Sequence, residues 1–69
     1  MTKQIDDLQP WERQHREGPV PFQAFVLYRD QVGRRSAHKV AVQLTKSDTL
    51  MRRWSAQWNW VERAAAYDA

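Results

Sequence analysis

A chain of 69 residues holds one small domain, since so short a chain buries only a modest core. It has no cysteine, which excludes disulfide staples, a thiolate nucleophile and cysteine-based zinc sites. The formal charge of +3 is unevenly spread: residues 22–58 carry seven basic and two acidic groups, while 1–21 carry three against four and 59–69 one against two. A basic centre between mildly acidic flanks points to a local polyanion site.

Nothing at the N-terminus resembles an apolar leader, and no run of 18 apolar residues occurs, so neither a signal peptide nor a membrane span is expected and the chain reads as cytoplasmic. Residues 1–20 read as a flexible N-terminal arm followed by an extended lead-in, because Pro10, Gly18, Pro19 and Pro21 punctuate too densely for a long helix. Trp11 is expected to fold back onto the domain, which occupies residues 21–69.

The first helix is read over "PFQAFVLYRDQVG", opened by Pro21 and closed by Gly33, with apolar residues on nearly two faces. Ser36 is placed to cap a second helix that turns Val40, Ala41 and Leu44 inward. Ser47 is placed to cap a third, with Asp48 in its first turn and Met51, Trp54 and Trp58 in register. A fourth helix restarts at Asn59, whose spacing to Glu62 is that of a capping box, with Trp60, Val61, Ala64 and Ala65 as a small-residue face. Strand-like alternation is absent. The expected fold is therefore all-α, a bundle of about four short helices with a tryptophan-rich core. Trp54, Trp58 and Trp60 converge where the last two helices meet, with the Trp58 N–H at the surface and Leu50 turned toward the fourth helix.

Helices two and three have the spacing of a helix-turn-helix. Ala41 is the small residue that allows close crossing, and Trp54, thirteen positions on, returns an apolar side chain to the core. Thr45 occupies a turn position where Gly often provides a left-handed backbone; a β-branched residue resists that conformation and points to an altered turn. With Met51 and Trp54 inward, Ser47, Asp48, Thr49, Arg52 and Arg53 face outward as candidate base contacts, the two arginines foremost because a guanidinium reads guanine through two hydrogen bonds. Ser47 is first a cap and Asp48 first a helix-start carboxylate. Arg34, Arg35, Ser36, Lys39 and Lys46 are the candidate phosphate contacts.

Other chemistries find no footing. His15 and His38 lack metal-ligand spacing, and no glycine-rich phosphate loop or nucleophile elbow occurs, so no catalytic residue, metal or cofactor is expected.

Together "PWERQ", "AFVLYRDQVGRRSAHKVAVQLTKS" and "RRWSAQWNWVERAAAYDA" resemble the N-terminal DNA-binding region of phage small terminase subunits and related phage helix-turn-helix proteins. The likeness covers about residues 10–69. Its most specific part is W-S followed by W-x-x-R-A-x-A-Y-D: Trp54, Ser55, Trp60, Arg63, Ala64, Ala66, Tyr67 and Asp68. The resemblance implies a viral or prophage protein that binds double-stranded DNA at a packaging start site and delivers it to the large terminase subunit. That family assembles through a further C-terminal region, so this chain alone is expected to be a monomer. Two alternatives accompany this reading: a small transcriptional regulator or recombination accessory protein, and a protein-interaction module whose basic residues serve solubility.

Overall fold

The computed structural model describes residues 8–69; residues 1–7 of the expected arm lie outside the described residues. Four helices follow in order: α1 (Pro19–Arg29), α2 (Ala37–Leu44), α3 (Asp48–Gln57) and α4 (Trp60–Asp68). They pack as an all-α globule with no strand among the described residues, and no helix among them is long and apolar enough to cross a membrane.

Helix α1 begins at Pro19, two residues before the expected opener, because the prolines that punctuate the sequence sit where a helix tolerates them. Gly18 is the extended N-cap, the first-turn amides have no intrahelical partner to lose, and the Phe22 amide makes the first helical bond to the Gly18 carbonyl at 3.0 Å. Ala24, Phe25 and Tyr28 form its buried stripe. The helix ends at Arg29, not Gly33. Backbone bonds at the exit account for the early end: the Gln31 amide turns back to the Tyr28 carbonyl at 3.2 Å, and the Arg29 carbonyl is taken by the Arg35 side chain at 3.1 and 2.8 Å. Gly33, at φ +79°, instead makes the bend toward α2.

Ser36 and Ser47 cap α2 and α3 as expected, accepting from the Lys39 amide at 3.4 Å and the Leu50 amide at 3.1 Å. Between them Thr45 adopts φ 56°, ψ 45°, the left-handed conformation that its branched side chain disfavours. Two bonds hold it there, from the Thr45 amide to the Val42 carbonyl at 3.2 Å and from the Lys46 amide to the Ala41 carbonyl at 2.9 Å. These form a Schellman motif. The turn thus has the geometry a glycine would give, with threonine in its place.

Asn59 is also left-handed, at φ 52°, and its side chain makes no capping bond. The capping box with Glu62 does not form, because a side-chain cap requires extended backbone at that residue. The reversal rotates α4 from its expected face: Trp60, Arg63 and Ala64 are buried, whereas Val61 and Ala65 are exposed. Trp60, fully enclosed, is the centre of the core, with ring centroids 5.2 Å from Tyr28 and 6.4 Å from Phe25. Val40, Ala41 and Met51 complete it, while Leu50, Trp54 and Trp58 are partly buried against its edge.

The lead-in is fastened to the domain. Glu17 and Arg63 are both buried, and the Arg63 guanidinium donates to both Glu17 oxygens at 2.9 Å and to the carbonyls of Pro10 at 2.6 Å, Glu12 at 3.0 Å and Trp58 at 3.0 Å. An arginine has five N–H donors, and all are used. The guanidinium also lies 3.9 Å from the Phe25 ring centroid, within cation–π range. Trp11 folds back as expected, its ring meeting Tyr67 edge-on at 6.0 Å.

Candidate nucleic-acid interface

Among the described residues no pocket opens into the domain, so the candidate site is a surface, and its chemistry is that of the α2–α3 pair. These two helices share the broadest contact in the molecule. Met51 is fully enclosed and Trp54 partly so, which leaves Thr49, Arg52 and Arg53 exposed on the far side of α3. No hydrogen bond or ion pair engages either guanidinium among the described residues. Thr49 and Arg53 are one helical turn apart, as are Asp48 and Arg52, so each pair shares a ridge.

The remaining candidates divide by what already holds them. Ser47 is exposed but its hydroxyl oxygen is occupied as the α3 cap. Asp48 is not a free acceptor: both of its oxygens face His38 Nδ1, at 2.8 and 3.0 Å. At the start of α2, Lys39 reaches back to the Arg34 carbonyl at 2.8 Å, which brings Arg34, Ser36 and Lys39 together beside the helix N-terminus. Lys46 is exposed in the turn.

Arg35 stands apart from this group. Its guanidinium grips the Asp68 carboxylate at 2.7 Å through both terminal nitrogens and caps the Arg29 carbonyl, joining the α1–α2 bend to the end of α4. The hydrogen bond from Arg35 holds the Asp68 carboxyl below its ordinary range; Arg29 does the same to Asp30. Both couples are clasps within the protein. The Arg35 fork is therefore spent before any ligand arrives.

His38 is the polar residue of this face that composition and motif leave unassigned. A signal for it does exist in the spacing: His38 precedes the buried Ala41 by three residues, and Asp48 precedes the buried Met51 by three. Two helices that cross at their buried small and apolar residues bring the preceding turns together as well.

No protein-family model, curated protein or solved structure matches this chain.

Proposed function

We propose that this chain is a double-stranded DNA-binding domain that lays the outward face of α3 in the major groove. The observation that carries this reading is a pair of short helices, α2 and α3, joined by a tight turn, with two exposed arginines on the second, Arg52 and Arg53, that engage no partner among the described residues. The left-handed turn at Thr45 sets α3 across α2. Guanidinium groups at these positions can each pair with guanine in the major groove. Arg34, Ser36, Lys39 and Lys46 flank that face and suit the phosphates on either side, through charge and through the amides at the start of α2. The resemblance of the W-S and W-x-x-R-A-x-A-Y-D segments to phage small terminase subunits adds a biological setting. In it the domain recognises viral DNA for genome packaging and hands it to a large terminase subunit.

Fluorescence anisotropy with a labelled duplex tests this directly. Arg52→Ala and Arg53→Ala are each expected to weaken binding to a preferred sequence by roughly 1–3 kcal/mol, and Lys39→Ala or Lys46→Ala to lower the salt dependence by about one phosphate's worth, a slope change near 0.9. Equal binding by the wild type and the Arg52/Arg53 double alanine variant would remove α3 as the reading face. Complex formation that survives high salt undiminished would favour a protein partner over DNA.

A further inference from the structure

The contact between His38 and Asp48 lies at the centre of the proposed interface, and base reading by Arg52 and Arg53 makes no use of it. The His38 side chain is 64% exposed and that of Asp48 42%, so the pair spans α2 and α3 at the surface. A carboxylate only accepts hydrogen bonds, which places a proton on Nδ1 of the ring. The edge bearing Nε2 is then turned away from Asp48. In the neutral ring Nε2 holds a lone pair and repels a phosphate oxygen; in the protonated ring it is a second N–H donor with a positive charge behind it.

We propose that His38 is a phosphate-binding residue of the DNA interface, oriented by Asp48, that grips the backbone only when its imidazole is protonated; this assignment rests on the DNA-binding reading above. Asp48 is the charged group in contact with the ring; the others lie on α2 and on the elements packed with it. From α3 come Asp48 and, one turn on, Arg52. Beside it on α2 is Lys39, drawn back to the Arg34 carbonyl at 2.8 Å. α1, which also packs on α2, carries Arg29, bonded to Asp30 at 2.8 Å, and Arg35 after it is clasped to Asp68, so these charges are engaged within the protein. Asp48 is the sole acid between residues 31 and 61, and without a partner it would repel the duplex. An imidazolium set between that carboxylate and a phosphate satisfies both. Because histidine changes charge between pH 5 and 8, DNA binding takes up a proton.

The test is the salt dependence of binding of the whole chain to a random-sequence 20-base-pair duplex, by anisotropy, at about pH 6 and about pH 8. One additional phosphate contact steepens the slope of log Kobs against log salt by about 0.9 at the lower pH. At fixed salt the affinity there is expected to be about five- to tenfold higher. Both differences should vanish in His38→Gln, persist in His15→Gln and shrink in Asp48→Asn, which leaves the ring without its charged acceptor. Thermal melts of each variant verify folding, and the exposed His38 side chain lies outside the core. A slope in the wild type that does not change with pH, or a pH difference undiminished in His38→Gln, overturns the assignment. Binding that depends on Arg52 and Arg53 but is indifferent to pH removes His38 alone; absence of binding at both pH values removes the DNA reading with it.

Discussion

Thr45 concentrates the conflict between local preference and tertiary geometry. A left-handed conformation costs a non-glycine residue roughly 1–2 kcal/mol, yet the turn needs it, and the two Schellman bonds at 3.2 and 2.9 Å hold it in place. The sequence correctly signals strain at this position, but its inference that the turn would change shape fails, because the packing of α2 on α3 outweighs one residue's preference. Thr45→Gly is expected to raise stability in chemical denaturation by up to about 1 kcal/mol, less than the strain relieved because glycine also gains freedom in the unfolded chain. A loss of stability would contradict this. Arg63 is the opposite case, a charge invisible as structure in a linear reading: its acceptors Pro10, Glu12 and Glu17 lie some fifty positions away. Replacing either Arg63 or Glu17 by leucine should cost about 3–5 kcal/mol, and replacing both should cost less than the sum, because a single substitution leaves a buried charge unpaired. Strict additivity in that cycle would deny the pairing.

At the scale of elements, α2 and α3 were legible because their caps and buried residues are local. Ser36 and Ser47 cap where they should, and Val40, Ala41 and Met51 point inward. Helix α4 was legible in extent but not in orientation. Its face depends on the left-handed Asn59, and a residue suited to a capping box is equally suited to a left-handed reversal. The segment that carries the W-x-x-R-A-x-A-Y-D pattern has a structural use here. Arg63 holds Glu17, Tyr67 receives the Arg29 guanidinium at 4.5 Å from its ring centroid and the edge of Trp11, and Asp68 binds Arg35. Each fastens α4 to a segment early in the chain. Because Asp68 titrates below its ordinary range in the folded protein, its contribution is present above the unfolded aspartate value and is lost as pH falls through the lowered one. Asp68→Asn is expected to flatten that part of the acid-unfolding profile, and a carboxyl carbon-13 titration of Asp68 should find its midpoint low. An ordinary midpoint would mean that the clasp does not hold in solution.

For the whole molecule, the expected tryptophan core exists but is centred one helix later than the spacing suggests. Trp60 is enclosed, whereas Trp54 and Trp58 remain partly accessible at the edge. Iodide quenching should accordingly leave one emission component untouched, and Trp60→Phe should abolish that component; uniform access would contradict an enclosed Trp60. With the Arg63 hub and the Arg35 clasp satisfied within the protein, Arg34, Lys39, Lys46, Arg52 and Arg53 remain exposed on or beside α2 and α3. That separation between charges that build the fold and charges left for a ligand underlies the proposed function. Its most direct measurement is an amide chemical-shift titration of the whole chain with duplex DNA at low and high salt. Shifts concentrated at residues 34–39 and 46–53, and fading with salt, are expected. Shifts centred on α1 or α4, or none at low salt, would contradict a DNA-facing α3.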